Sequence, residues 1–237
     1  MNALTLAPSS HAPAHLTPAA EPVFPWVTRD EVFRIETPRL WLRWATHADA
    51  DRLQSIASRP SVAEMTASWP HPLPEGEAAR RIAASRELNA GGRGLILALT
   101  LKGAPDRLIG QIGCNAVNVE HLGIGYMLDP ALAGRGLATE ALGGFVRALF
   151  THTSIDHVAA SSRVANPASR RVLEKTGFVF ERTGALETSV RGTLDVDFLA
   201  LSRTAWKRQL QSRRARLYAV KGQGSENGRD DAADTGE

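Results

Sequence analysis

The segment Gly123-Ile-Gly-Tyr-Met-Leu-Asp-Pro-Ala-Leu-Ala-Gly-Arg-Gly-Leu-Ala-Thr-Glu-Ala-Leu142 predicts a strand, a glycine-containing turn and a helix in immediate succession. The strand is predicted to end at Asp129-Pro130, and the helix to begin directly after Gly136. Glycines let backbone N–H groups point inward, and a helix start adds unpaired N–H groups at the positive end of its dipole. The turn is therefore suited to bind an anion such as a pyrophosphate. For this segment alone, a β–α turn without a ligand is the alternative.

Two other phosphate-binding motifs do not fit the spacing of this segment. A P-loop requires Gly-Lys-Ser/Thr before the helix, and the sequence has no such triplet. A dinucleotide-binding fingerprint requires a small residue three positions after Gly136, where Thr139 stands. It also requires an acidic residue about 20 positions further on, at the end of a strand. Asp156 stands there, at the start of a predicted strand.

The sequence on both sides of this turn predicts one α/β (α+β) domain. Alternating polar and apolar residues mark strands, and residues such as Thr46, Pro167 and Gly177 mark the ends of helices. The predicted strands form a mostly antiparallel sheet with one strand–helix–strand crossover over 122–164. Strands are predicted over 39–44, 95–101, 108–117, 122–128, 157–164, 178–183 and 195–201, with a turn near Asn118, and helices over 47–57, 74–90, 137–149 and 167–176.

The composition is that of a globular protein and excludes several classes. Of the 237 residues, 43% are hydrophobic and 22% are charged. The longest apolar run, 95–99, is too short to span a bilayer, and the first 28 residues lack the Lys and Arg of a secretion signal. Cys114 is the only cysteine, so we expect a small core residue in a protein of the reducing cytoplasm. The net charge of +3 is too small to predict a nucleic-acid partner.

The chain is predicted to divide into three parts. Residues 1–32 form an N-terminal arm, rich in Pro, Ala, Ser and Thr and expected to be disordered. Residues 33–212 form the domain. Residues 213–237 form a disordered charged tail that begins basic and ends acidic. The basic half of this tail alone supports an alternative role in nucleic-acid binding.

Several motifs resemble one known family. The segment 133–138 resembles the coenzyme A pyrophosphate loop of the GNAT superfamily, Gln/Arg-x-x-Gly-x-Gly/Ala, with Ala133 departing at the first position. The wider pattern is similar to the Rim-type (RimJ/RimL-like) branch of protein N-terminal acetyltransferases, and the likeness covers about residues 33–210. It rests on Glu36-Thr-Pro-Arg-Leu-Trp-Leu-Arg43, Ile124 to Ala141, Asn166-Pro-Ala-Ser-Arg-Arg-Val-Leu-Glu-Lys-Thr-Gly-Phe178 and Asp195 to Trp206.

The resemblance implies a single GNAT domain with a mixed seven-stranded sheet, splayed between its fourth and fifth strands and flanked by helices. Acetyl-CoA would enter the splay as co-substrate, and no metal is implied. Its pantetheine arm would contact the backbone of Met127 and Leu128 and the side chain of Asn166, and Arg171 and Lys175 would approach its nucleotide end. Its pyrophosphate would contact the residues of the turn and helix start: Gly134, Arg135, Gly136, Leu137, Ala138 and Thr139.

The resemblance also implies direct attack of an amine on the thioester, with no covalent enzyme intermediate. A backbone N–H near Met127 would hold the oxyanion, and Ser169 would be the acid for the departing thiolate. Glu187 is the candidate base, with Asp195 and His121 as alternatives. Some relatives carry a Glu on the fourth strand, at the place of Gly123 in this chain.

The missing strand Glu favours an acceptor that loses its proton readily. An α-amine has a pKa of about 7.7–8.0 and a lysine about 10.4, so deprotonation near neutral pH costs roughly 1 and roughly 4 kcal/mol. We therefore expect a protein N-terminal α-amine, as in ribosomal-protein acetylation. A small amine such as an antibiotic or polyamine, and a non-catalytic CoA-binding module, are the alternatives. The segment 69–74 either forms a wall of the acceptor pocket or is a rigid connection before a helix. The expected assembly is a monomer or a homodimer.

Overall fold

The computed structural model describes residues 22–116 and 121–212. Within these ranges, eight strands form one sheet in the order β1-β2-β3-β4-β5-β6-β8-β7. The strands are β1 (Arg34–Glu36), β2 (Leu40–Arg43), β3 (Gly94–Leu101), β4 (Ala104–Ala116), β5 (His121–Leu128), β6 (His157–Arg163), β7 (Val179–Thr188) and β8 (Gly192–Ser202). Residues 1–21 of the predicted arm, the turn expected near Asn118 and the predicted tail 213–237 lie outside the described residues.

Five α-helices connect these strands, and residues 203–212 are helical as well. Within the described ranges, none of the helices has both the length and the apolar character needed to cross a membrane. The helices are α1 (Ala50–Ala57), α2 (Pro60–Ala63), α3 (Glu77–Ala90), α4 (Leu137–His152) and α5 (Pro167–Thr176), with single 3-10 turns at Trp26–Thr28, His47–Asp49 and Pro130–Leu132.

The predicted architecture is confirmed, with one correction to the strand count. The pairing of β5 with β6 is parallel, and every other pairing between neighbouring strands of the described sheet is antiparallel. The connection β5–α4–β6 is the expected crossover. The sheet has eight strands rather than seven, because Arg34–Glu36 adds an edge strand on β2. Three residues are too few to show a period in the sequence, so this strand was missed.

Two apolar cores lie on opposite faces of the sheet. Successive side chains of a strand point to opposite faces, and along β3 Leu97 and Leu99 belong to one cluster whereas Ala98 belongs to the other. The first cluster holds the apolar face of α4 and Leu173 of α5. The second holds buried apolar residues from each of α1, α2 and α3, together with Met127 of β5. The sheet therefore separates α4 and α5 from α1, α2 and α3.

The predicted N-terminal arm includes residues that pack on the domain. Phe24 is 2% exposed and belongs to the first core cluster. The N–H groups of Val23 and Phe24 donate to the Gly92 carbonyl at 2.9 and 3.1 Å. In the described structure, the segment 22–32 is therefore part of the packed domain. A single buried aromatic residue in a Pro-rich segment has no period by which the sequence could reveal it.

Candidate active site

The strands β5 and β6 separate part of the way along the sheet. Their parallel ladder runs from His121↔His157 to Ile124↔Ala160, and within the described residues it ends there. Beyond that point β5 continues to Leu128 along β4, and β6 continues to Arg163 along β8. The predicted splay is thus present. It lies between the fifth and sixth strands because of the added edge strand.

The glycine-containing turn follows β5 at the open end of this splay. Gly134 and Gly136 have φ values of +76° and +74°, in the left-handed region that glycine tolerates best. Gly136 is the N-cap of α4, and the Glu140 N–H makes the first helical bond back to its carbonyl at 3.0 Å. The N–H groups of the first turn therefore have no intrahelical acceptor. A Cβ built at Gly134 would meet no atom within 4 Å, so this surface is open to an anionic ligand.

The predicted phosphate-binding residues contribute in different ways. The Leu137 side chain is 3% exposed and packs in the core, so only its backbone can face a ligand. Ala138 and Thr139 are half-buried in the first turn of α4, and the Arg135 side chain is exposed. The carbonyl of Arg135 accepts a hydrogen bond from Arg39 at 3.0 Å. An Arg39 guanidinium beside the turn is a cationic group that the sequence reasoning missed.

Glu140 fastens the start of α4 to the β1–β2 turn. Its carboxylate accepts hydrogen bonds from Thr37 Oγ1 at 2.7 Å, from the Arg39 backbone N–H at 2.7 Å and from Arg39 Nε at 2.6 Å. Burial acts to raise the pKa of Glu140, but these hydrogen bonds and the Arg39 charge outweigh burial and lower it. The carboxylate therefore stays ionised at neutral pH and holds the glycine-containing turn in place.

Acidification should remove part of the free energy of unfolding through Glu140. Its folded-state pKa lies below the ordinary value of 4.5, so its contribution is present above that value and is lost as the pH falls through the folded-state pKa. Chemical denaturation at about pH 5 and about pH 3 should show a smaller loss of stability in Glu140→Gln than in the wild type. An equal loss in both proteins would contradict this assignment.

Asp129 joins the glycine-containing turn to the helices on the other side of the sheet. The residue is 2% exposed, and its carboxylate is paired with Arg52 and with Arg59 Nη1, the latter at 2.8 Å. The same carboxylate accepts from the Ala131 N–H at 3.1 Å and caps the 3-10 turn. Arg52 lies on α1 and Arg59 directly before α2. The position of the turn is therefore linked to the positions of α1 and α2.

Replacing Asp129 with Asn should destabilise the fold by about 2 kcal/mol. Breaking a fully buried ion pair costs about 3–5 kcal/mol. We expect less because the Arg52 and Arg59 side chains are 27% and 38% exposed. Thermal unfolding should show a fall in Tm of about 4–8 °C. Asp51→Asn is the matched control, because Asp51 is exposed on α1 and its loss should change stability by less than about 0.5 kcal/mol. Equal Tm values for the two variants would contradict the role of Asp129.

Ser169 lies in the first turn of α5 and is held by two neighbours. The Asn166 side chain caps this helix by accepting a hydrogen bond from the Ser169 N–H at 3.0 Å. The Tyr126 hydroxyl lies 3.0 Å from Ser169 Oγ and 3.1 Å from the Ser169 carbonyl oxygen. Asn166 Oδ1 is occupied by the cap, so its Nδ2 is the group left to bind a ligand. The sequence reasoning missed Tyr126, since a Tyr on a strand gives no signal of such a contact.

The candidate bases lie on β8, on β7 and at the start of β5. The Glu187 carboxylate on β7 is exposed and accepts from Thr193 Oγ1 at 2.6 Å. Asp195 is exposed on β8. The side chain of His121 lies outside the described part of the structure. Ser169 and Glu187 are therefore not joined by a hydrogen bond in the described residues, and the base stays a prediction.

The helix α5 presents the two other cations that the sequence suggested. Arg171 and Lys175 are both exposed on this helix, consistent with either a nucleotide contact or a solvated surface. The neighbouring Arg170, by contrast, is engaged in ion pairs. Its guanidinium pairs with Glu174 at 2.9 Å and with the buried Asp197 of β8 at 2.8 Å, and so fastens α5 to the sheet.

On the opposite face of the sheet, two arginines hold the connection between α2 and α3. Arg163 of β6 donates to the carbonyl of Glu64, and Arg191 of the β7–β8 turn donates to the carbonyl of Trp69 at 3.3 Å. The Trp69 side chain is 4% exposed and packs in the second core cluster. This aromatic ring is therefore core, whereas the carbonyl oxygen of Trp69 faces the β7–β8 turn. A Cβ built at Gly125 would meet no atom within 4 Å, so β5 faces open space there.

A cavity of about 300 Å³ lies elsewhere, at the β1–β3 edge of the sheet. It is lined by Trp41, Arg43 and Thr100 and by the segment 31–34. Its lining residues belong to β1, β2, β3, the start of β4 and the segment before β1, and none lies on β5 or β6, so the cavity is not part of the candidate site. In the described part of the chain, no three His, Cys, Asp or Glu residues are grouped so that they could hold a metal ion. Cys114 is buried in the core, which raises its pKa.

The solved structures that share this fold include three acetyltransferases. RimL, a ribosomal L7/L12 alpha-N-protein acetyltransferase in complex with coenzyme A, is 19% identical with a TM-score of 0.64, over 73% of this chain and 99% of that one. Mycobacterium smegmatis RimJ in complex with CoA-disulfide is 23% identical with a TM-score of 0.63, over 79% and 97%. The microcin C7 self-immunity acetyltransferase MccE in complex with acetyl-CoA and AMP is 18% identical with a TM-score of 0.61, over 70% and 93%. At these identities the likeness shows the fold alone.

Two sequence comparisons bear on the family. The probable N-acetyltransferase YjcK of Bacillus subtilis (strain 168) is 33% identical over 90 residues, which are 37% of this chain. The matched region spans half the length of that curated relative. The model of the acetyltransferase (GNAT) domain family matches residues 39–179, which is more than half of the chain and includes β2 to α5. With the splayed sheet and the glycine-containing turn of its structure, the chain therefore belongs to the GNAT acetyltransferase family.

Proposed function

We propose that this protein transfers an acetyl group from acetyl-CoA to a primary amine, by direct attack in a ternary complex. The observation that carries the proposal is that a glycine-containing turn follows β5 and that the Ser169 hydroxyl lies on the helix that follows β6, the two strands that separate at the splay. The backbone N–H groups at the start of α4 would bind the pyrophosphate. These N–H groups have no intrahelical acceptor, and Gly134 leaves room for a ligand.

The two sides of the sheet would divide the binding of the two substrates. The turn, α4 and α5 lie on one side, where acetyl-CoA would contact Asn166 Nδ2 and the backbone of Met127 and Leu128. The acceptor would approach from the other side, in the open space beside Gly125. Holding both reactants in one orientation supplies much of the rate enhancement in such a transfer.

Three groups of the chain would assist the chemical step. A backbone N–H near Met127 would stabilise the oxyanion, and Ser169 would donate a proton to the departing thiolate. Glu187 would accept the proton of the amine, directly or through water. Gly123 supplies no carboxylate on β5 that could take the proton of the amine. This favours an acceptor amine with a low pKa, because such an amine needs less help to lose its proton.

The acceptor that this arrangement favours is a protein N-terminal α-amine. An α-amine needs roughly 1 kcal/mol to lose its proton near neutral pH, against roughly 4 for a lysine. The description of RimL as a ribosomal L7/L12 alpha-N-protein acetyltransferase agrees with this acceptor class, whereas that of MccE shows that the fold also occurs in a self-immunity acetyltransferase. A cytoplasmic location and a monomeric or homodimeric assembly remain predictions of the same proposal.

Acetyl transfer measured by mass spectrometry tests the proposal. The protein is incubated with acetyl-CoA and a panel of peptides with free N-termini, lysine peptides with blocked N-termini, polyamines and aminoglycosides. We expect a gain of one acetyl group on the free α-amines. A gain of an acetyl group only on a small amine would show that the acceptor is a small molecule and not a protein N-terminus. Binding of acetyl-CoA without transfer to any acceptor would favour a non-catalytic module over the enzyme.

A further inference from the structure

A hydrogen-bonded contact bridges the two sides of the splay. Tyr126 lies on β5, two residues beyond the last register pair of the β5–β6 ladder, Ile124↔Ala160. Its hydroxyl reaches α5, where it lies 3.0 Å from Ser169 Oγ and 3.1 Å from the Ser169 carbonyl oxygen. Tyr126 is half-buried at the rim of the first core cluster. The contact therefore occurs where the two strands begin to separate.

The number of protons in this contact permits two arrangements. A phenol donates one hydrogen bond, and a serine hydroxyl donates one and accepts up to two. If Tyr126 donates to the Ser169 carbonyl, the Ser169 proton can be given to the phenol oxygen. If Tyr126 donates to Ser169 Oγ, the Ser169 proton is free to be given to a third group. The two arrangements differ only in the rotation of the two hydroxyl groups.

Packing does not account for the phenol oxygen. A phenylalanine would fill the same space at the rim of the core. The backbone of Ser169 is already held, because its N–H is bonded to Asn166 Oδ1. Burial raises the pKa of Tyr126 to about 12, and the Ser169 hydrogen bond only partly opposes this effect. At neutral pH the phenol therefore keeps its proton and acts as a donor.

We propose that Tyr126 is a positioning residue that donates a hydrogen bond to Ser169 Oγ and thereby directs the Ser169 proton toward the departing thiolate. This inference rests on the acetyl transfer proposed above. In that step the N–C bond forms, and the C–S bond breaks with its electron pair on sulfur. Sulfur takes the Ser169 proton, the surplus proton of the amine leaves to the base or solvent, and solvent returns a proton to Ser169. Tyr126 keeps its own proton throughout.

The test compares the full-length wild type with Tyr126→Phe, Ser169→Ala and the double variant, using whichever amine the wild type acetylates. We expect Tyr126→Phe to lower kcat about tenfold and to change the Kd for acetyl-CoA less than about twofold. The double variant should be no slower than Ser169→Ala, because Tyr126 acts through Ser169. Thr151→Ala is the control for loss of a hydroxyl, since Thr151 is exposed on α4, and thermal unfolding verifies that each variant folds.

Three outcomes would overturn the inference. Wild-type turnover in Tyr126→Phe, with the wild type active, would leave the phenol without a role and the proposed function intact. Losses that multiply in the double variant would show that Tyr126 acts independently of Ser169, as a structural residue would. Absence of acetyl transfer by the wild type itself would remove the proposed function, and the inference with it.

Discussion

An aspartate in place of Gly136 should raise the Kd for acetyl-CoA about 100-fold. At an effective dielectric constant of about 20, two unit charges about 5 Å apart repel by roughly 3 kcal/mol, and 1.4 kcal/mol corresponds to a factor of ten in Kd. The carboxylate would stand at the N-cap of α4, beside the proposed pyrophosphate site. Isothermal titration with acetyl-CoA measures the change.

The matched control for this variant is Gly136→Asn. Gly136 has a φ of +74°, so any side chain there is strained, but Asn tolerates this region better than most residues. A Cβ at this position would lie 3.6 Å from Arg39 Nη2, which is ordinary contact. Asn has the size of Asp without its charge, so the Kd of Gly136→Asn for acetyl-CoA should be much closer to that of the wild type. An unchanged Kd in Gly136→Asp would remove the turn from the acetyl-CoA site.

Removing the Ser169 hydroxyl should lower kcat about 100-fold, near the lower limit for loss of a general acid. In Ser169→Ala the departing thiolate would have to take its proton from solvent. The Kd for acetyl-CoA should change little, since Asn166 still accepts a hydrogen bond from the backbone N–H of residue 169. A fall in kcat and kcat/KM without a change in Kd indicates an interaction made in the transition state. Steady-state kinetics with the identified amine, together with the Kd, make this comparison.

Ser212→Ala is the matched control for Ser169→Ala. Ser212 is exposed in the C-terminal helical segment, and its hydroxyl bonds only to the Arg208 carbonyl among the described residues, at 3.1 Å. The kcat of the Ser212→Ala variant should equal that of the wild type. If Ser169→Ala turned over as fast as Ser212→Ala, Ser169 would not be the acid, and the role proposed for Tyr126 would end as well.

Local sequence signals were sufficient for the elements that surround the site. The helix α5 lies between Asn166, which caps it, and Gly177, which ends it at a φ of +101°, as its Pro167 and Gly177 predict. The turn after β5 has both glycines in the left-handed region. Signals of this kind act over three or four residues and do not depend on the rest of the chain.

Elements without such signals were missed or were predicted too short. The strand β1 has three residues, and α2 has four. The strands β7 and β8 extend to Thr188 and from Gly192, beyond the predicted ends at residues 183 and 195. Near this turn Leu186 is half-buried and Leu194 is 7% exposed, between exposed neighbours. This alternation is too short to mark the strand ends, and the backbone ladder of the hairpin defines them instead.

The sequence by itself determined the family and the order of the elements, together with the glycine-containing turn after β5 and the position of Ser169 in a helix start. Each of these depends on residues that are close together in the chain. The tertiary structure alone decided that Tyr126 bonds to Ser169, 43 positions away, and that Asp129 pairs with Arg52, 77 positions away. These contacts depend on how the strands and helices pack in space. Because a polar side chain gives no periodic signal for a distant partner, its place in the site becomes visible only in the folded chain.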